Sequence, residues 1–299
     1  MATEVKDGLR YDAVPWARFH HCFGSGSDVP ALLEDVRLGD DEASGRALGT
    51  LWDRFCHQGG TSAPGALAVP FLIRIALAHP RHRADLLLLV GAVARRQHFG
   101  DGSRTGLLRA GDLAGSVRFE PSGYPGNWSV EAARNAVAAD AELLCFLLDD
   151  REPAVRQAAA YALAAALPPP ANAASSLHAL LAREDDPVTR ACLVLAIGQL
   201  CQENGDPATV TQLHEWWHHP GPPTDVRVSA ALAWLCLVDD SIPAEIDALF
   251  DTAVTDELTA LLAPVPWLRD AQDGVRGNGL LVCLDQMRNP DDFPWLVEY

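Results

Sequence analysis

The 299-residue sequence predicts an all-α fold, a solenoid of antiparallel helix pairs, and three observations carry that expectation. First, a short acidic turn recurs. It runs Asp149-Asp150-Arg151-Glu152-Pro153-Ala154-Val155-Arg156, then Asp185-Asp186-Pro187-Val188-Thr189-Arg190, then Pro223-Thr224-Asp225-Val226-Arg227. The closing arginines are 34 and 37 residues apart, within the range of paired-helix repeats. Second, apolar residues return at helical spacing after each arginine. Six residues on stand Ala162, Ala196 and Ala233; seven on, Leu163, Ile197 and Trp234; ten on, Ala166, Leu200 and Leu237. Those offsets fall on one face of a 3.6-residue helix, and the alanines let helices approach closely. Third, alanine and leucine dominate, and no alternating run is convincing as a strand.

The turn has its own logic. Asp150, Asp186 and Asp225 fall where a helix N-terminus offers unpaired amide donors and a partial positive charge. Pro153 and Pro187 suit a first helical turn, where no amide is needed. Each arginine is then within reach of aspartates or carbonyls of a neighbouring turn, which predicts a ladder between repeats.

In chain order, the polar first dozen residues read as a frayed end, followed by a short helix from Trp16 to Phe23 stopped by Gly24-Ser25-Gly26. Asp28 is placed to cap a helix from Val29 to Leu38, and a long helix follows from Asp41 to Cys56. His57-Gln58-Gly59-Gly60-Thr61-Ser62 reads as a turn, leading into helices from Ala66 to Ala78 and from Arg83 to His98. Between Gly100 and Asn127, seven glycines and two prolines break the pattern, with room for a short helix near Arg104 to Leu113. Helix pairs resume at Ser129–Leu148 with Ala154–Leu167, at Ala174–Arg183 with Val188–Glu203, and at Ala208–His218 with Asp225–Leu237. Pro168-Pro169-Pro170 and Pro220-Gly221-Pro222-Pro223 connect them. Ala244–Leu262 and Gln272–Met287 make a last pair, with Phe293, Trp295 and Tyr299 placed to cover the end of the stack. The expected organisation is one array over residues 1–299: N-terminal repeats 14–99, an irregular insertion 100–128, central repeats 129–237 and capping repeats 238–299.

Asp186-Pro187 with Val155-Arg156, each followed by alternating Ala and Leu, resembles HEAT repeats. The N-terminal part is similar to the bacterial HEAT-like repeat proteins of the PBS-lyase type. The similarity runs through Val14-Pro15-Trp16, Asp28-Val29-Pro30-Ala31-Leu32-Leu33, His57-Gln58-Gly59 and Ala68-Val69-Pro70-Phe71-Leu72. The resemblance implies a right-handed α-solenoid whose curved face binds something. It implies no activity, since members are mostly of unassigned function. Some HEAT-like proteins are DNA glycosylases with a basic concave face, and a net charge of −17 argues against nucleic acid here. The basic clusters Arg81-His82-Arg83 and Arg95-Arg96 are too short to override that field. Seven cysteines without a CxxC pair suit reduced, buried thiols, and no stretch has membrane-spanning length, so a cytoplasmic protein is expected.

His214-Glu215-Trp216-Trp217-His218 matches H-E-x-x-H, in which two histidines one turn apart bind zinc and the glutamate acts as base. Thr224 stands where the longer form of that motif needs a third histidine, which leaves Glu245 as the candidate third ligand. Amphipathic packing with Trp216 or Trp217 inward is the favoured reading, with no cofactor, and zinc is the alternative. A second group gathers near the N-terminus. His57 and Gln58 sit at a glycine turn, and His20 and Trp16 lie on the short segment before it. Glu120, Tyr124 and Trp128 belong to a loop able to fold over them. The function expected is a non-enzymatic scaffold that binds a protein partner, plausibly basic, along a concave face, in the manner of an immunity protein. The alternative is an enzyme or small-molecule binder with a pocket between the 100–128 loop and the groove.

Overall fold

The computed structural model describes residues 1–57, 60–96, 103–111, 126–239, 241–273 and 277–290. Among these the chain is all-α, of the α-solenoid class, with sixteen α-helices and strand pairing confined to three two-residue hairpins. It divides into two compact units, residues 1–96 with 110–170, and residues 97–109 with 171–299.

The first unit begins with α1 (Thr3–Asp7), a helix where a frayed end was expected. Its anchor is electrostatic. Lys6 Nζ donates to the buried Asp140 at 2.7 Å, and Arg74 donates to both Asp140 (2.9 Å) and Asp7 (2.7 Å). The segment expected as a helix from Trp16 is instead a 3-10 turn, Trp16–Arg18, and a hairpin of β1 (His20–His21) and β2 (Gly24–Ser25). The reason is local. Gly24 takes φ +130°, which a helix cannot use, and Gly26 donates to the Phe19 carbonyl at 2.8 Å to close the hairpin.

Helices α2 (Val29–Leu38) and α3 (Asp41–Phe55) pack together, and Asp40 caps α3 by accepting from the Ala43 amide at 2.8 Å. Asp28 does not cap α2; its carboxylate is taken by other partners described below. A second hairpin, β3 (Cys56–His57) with β4 (Gly60–Thr61), leads into α4 (Ala63–Ala78), which is buried almost all round. Then follow α5 (Arg83–Val93), α6 (Gly126–Ala139), α7 (Ala141–Leu147) and α8 (Pro153–Leu163). The helix expected from Ser129 to Leu148 is thus broken at Asp140, the residue that receives Lys6 and Arg74. Helices α5 and α8 meet at Gly91, where a Cβ would lie 2.4 Å from the Tyr161 ring.

In the second unit, α9 (Ala173–Leu181) packs on α10 (Pro187–Asn204), and α11 (Pro207–His218) on α12 (Thr224–Leu235). Then come α13 (Ala244–Ala253), α14 (Asp256–Leu262) and α15 (Pro266–Arg269). A hairpin of β5 (Gln272–Asp273) and β6 (Gly277–Asn278) and α16 (Leu280–Arg288) complete the unit. The single helix expected over Ala244–Leu262 is two, because Thr255 starts a new one by accepting from the Leu258 amide at 3.2 Å. The helix expected from Gln272 gives way to the hairpin at the positive-φ Gly279. Within the 100–128 insertion the described part includes a 3-10 turn, Arg104–Leu107, shorter than the helix expected there. Asp240 and residues 291–299, with Phe293, Trp295 and Tyr299, lie outside the described residues.

The repeat stripe is buried: Ala162, Ala196 and Ala233 are fully enclosed, with Leu163, Ile197, Trp234, Ala166 and Leu200. Leu237 falls past the end of α12 and is half-buried. Of the three turn aspartates one caps its helix. Asp186 is an N-cap, accepting from both the amide and the hydroxyl of Thr189 at 2.7 Å. Asp150 accepts the Glu152 amide at 2.9 Å from just outside α8, and Asp225 lies inside the first turn of α12. Of the repeat arginines, Arg190 makes the expected contact with the next acidic turn, whereas Arg156 donates to the Asp150 and Arg151 carbonyls of its own turn and Arg227 to the Trp217 carbonyl. Arg83 reaches Asp150 at 2.7 Å, and Arg190 grips Asp225 through two bonds at 2.8 and 3.0 Å while also donating to the Asp185 carbonyl.

Candidate functional site

In the first unit the two N-terminal hairpins and the first turn of α6 bring aromatic rings to the surface. The β1–β2 pairing sets His20 opposite Ser25 and His21 opposite Gly24, so Cys22 and Phe23 form the tip. Pleat alternation turns His20 outward and buries His21. His21 Nδ1 accepts the Phe23 amide at 3.2 Å, and that bond requires an unprotonated Nδ1, so the proton is on Nε2, which faces Asp28 at 3.2 Å. Asp28 also accepts from Arg54 Nε at 2.9 Å, and Arg54 in turn lies over the Phe23 ring, 5.1 Å from its centroid. His57 meets the same ring edge-on at 5.3 Å. Phe23 is therefore held by its amide, by a cation and by a second ring, yet remains 57% exposed. In the same unit Phe19 and Trp128 stand parallel, centroids 6.2 Å apart, with Trp128 39% exposed.

The residues singled out from sequence divide as follows. His57 meets the exposed Phe23 ring, Trp128 stands parallel to Phe19, and His20 is exposed on β1. His57 is in β3, not at a helix end. Trp16 lies in the core, 4% exposed, its indole donating to the Tyr11 carbonyl at 2.8 Å and its ring tilted against Phe71. Gln58, Glu120 and Tyr124 lie outside the described residues. Sequence reasoning missed Phe19 and Phe23 as surface groups, because a helix over Trp16–Phe23 gives them no particular direction. The positive-φ signal was Gly24, two residues before Gly26. At Gly26 there is no room for a side chain, since a Cβ would sit 2.9 Å from Pro64 Cγ.

The H-E-x-x-H stretch forms the last turns of α11 in the second unit. Trp217 is buried against Trp234 at 5.7 Å, which is the inward packing expected of one tryptophan. His214 is half-buried, edge-on to Trp217 at 4.8 Å, and its ring stacks on that of the exposed His218 at 5.4 Å. Glu215 is exposed, and no group of three or more His, Cys, Asp or Glu comes together anywhere among the described residues, Glu245 included. His178 packs on Trp216, and its burial lowers its affinity for a proton. The four buried cysteines have thiols pushed up by desolvation, so they are packing groups and not nucleophiles. A cleft of about 310 Å³ in the second unit is lined by Asp256, Thr259, Arg269 and the start of α16.

Residues 141–235 match the family of HEAT repeats. That span includes all three acidic turns. No curated protein and no solved structure matches the chain. No helix among the described residues is long and apolar enough to cross a membrane.

Proposed function

We propose that this chain, a HEAT-like repeat protein with HEAT repeats over residues 141–235, is a non-enzymatic interaction module whose partner presents a basic surface. HEAT repeats commonly mediate protein interactions, and that general role is the starting point. The observation that carries the more specific reading is the aromatic face of the first unit, with Phe23 at 57% and Trp128 at 39% exposure, both held in place before any partner arrives. Exposed aromatics with fixed rotamers are the side chains that dominate interfaces, because docking them costs little further entropy. Covering one of them removes on the order of 100 Å² of surface from water, since each ring is already partly buried. His20 and His57 supply polar contacts at the rim, and Trp16 supports the face from below.

The net charge of −17 selects a cationic partner by long-range attraction. An immunity-type role would fit that field, and a cytoplasmic setting belongs to the same reading. The test is affinity capture with the untagged chain coupled to resin, at low and at high salt. The expected result is a specifically enriched basic protein whose retention falls steeply as salt rises, since exposed charges beyond about 10 Å are screened at 0.1 M. Recovery of no specific protein under low salt would contradict the proposal.

A further inference from the structure

We propose that His214 and His218 form a two-histidine site for a divalent transition-metal ion of the zinc and copper class, at the C-terminal end of α11. Four observations converge on it. The side chains are one turn apart on one helix face, with rings 5.4 Å apart and only 19° from parallel. Two imidazoles bound to one ion at about 2.0 Å per Zn–N bond have centroids roughly 5 Å apart, so the spacing fits, and the exposed His218 ring has to turn so that both in-plane lone pairs meet the ion. Among the described residues neither imidazole makes a hydrogen bond or ion pair, and the only α11 side-chain nitrogen sealed from solvent without a partner is Trp217 Nε1. The ring nitrogens are therefore available to a ligand. Finally, the site sits in the last turn of a 12-residue helix, where the carbonyl ends of the backbone dipoles favour a cation.

This departs from the zincin-like interpretation of the motif. With no third protein ligand gathered, the ion keeps at least two positions open, and Glu215, exposed on the helix, has no assigned part in binding. The ion is a bound ligand of the helix end and not a catalytic centre. Zinc and copper are preferred over calcium or magnesium because neutral imidazole is a nitrogen donor of intermediate softness, whereas the alkaline-earth ions take oxygen. His214 is also 5.7 Å from Trp234 by ring centroid, so two indoles report on occupancy.

The experiment titrates untagged, metal-stripped protein with copper(II) chloride while tryptophan emission is followed, then displaces copper with zinc(II) chloride. The expected result is a saturable one-ion quench whose midpoint moves up by about tenfold or more in His218→Ala and in His214→Ala, since losing one ligand loses the chelate. His219→Ala is expected to bind as the unaltered chain does. Because His218 is exposed, His218→Ala keeps the fold, and its circular dichroism melt checks this. Midpoints unchanged in both single variants, or loss of the quench in His219→Ala alone, would overturn the site.

Discussion

At the scale of single residues, the clearest dependence is Arg190 on Asp225. The carboxylate is 7% exposed and receives two guanidinium bonds, which raise the arginine's hold on its proton. Asp225→Ala leaves the half-buried cation with carbonyl partners only, and is expected to lower the unfolding free energy by about 2 kcal/mol. A urea midpoint measured for the single variants and the double variant separates the pair energy from either loss alone. Tyr11 makes a second case. Its hydroxyl is sealed from solvent beside the Arg37 guanidinium, and burial, helped by the charge of Glu34, outweighs that cation and pushes its pKa up to about 12. The native state thus keeps a proton that the unfolded chain releases near 10. Stability from this group is intact below pH 10 and falls as pH rises from there towards 12. Tyr11→Phe is expected to flatten that alkaline loss and to be neutral or slightly stabilising at pH 7, as read by thermal melts across the alkaline range. The residues that sequence could not place are instructive here: His21, Phe23 and Arg54 are 2 to 33 residues apart, and only the closed hairpin makes them one network.

At the scale of elements, what was legible is what repeats. The acidic turns, Pro153 and Pro187 at first helical positions, and the stripe through Ala162, Ala196 and Ala233 are local patterns, and the helices from α9 to α12 fall within two residues of their expected ends, while α8 stops at Leu163, four residues short of the expected Leu167. The errors lie where a long-range contact or a positive φ overrides local propensity. Asp140 splits α6 from α7 because two cations meet it, Thr255 restarts α14, and Gly24 and Gly279 turn expected helices into hairpins. Close approach between helices is the other feature visible only in three dimensions. At Gly91 on α5 and Gly198 on α10, a Cβ would stand 2.4 Å from Tyr161 and 2.8 Å from Ala233. Neither neighbour is the loose end of a flexible chain. Gly91→Ala and Gly198→Ala are each expected to cost about 1–3 kcal/mol through overpacking, despite alanine's better helix propensity, and a lowered melting temperature with unchanged helical content would register it.

At the scale of the whole molecule, the sequence carried the class of fold and the sign of the field, but not the surface that would use them. The proposed cationic partner rests on the charge of −17, and the HEAT repeats that residues 141–235 match commonly mediate protein interactions. His20, His57 and Trp128 were singled out for residue type and turn context, and all three are exposed, yet Phe23, the exposed ring that His57 meets edge-on, was hidden inside a supposed helix. The most direct measurement is parallel affinity capture on the unaltered chain and on a Phe23→Ser, Trp128→Ser variant whose melt matches it, with the captured basic protein then titrated by calorimetry against both. The expected outcome is a salt-sensitive complex weakened at least about thirtyfold in the variant, the loss of roughly 2 kcal/mol that one interface anchor commonly carries. Equal affinity of the two chains for that partner would contradict the aromatic face as the binding surface.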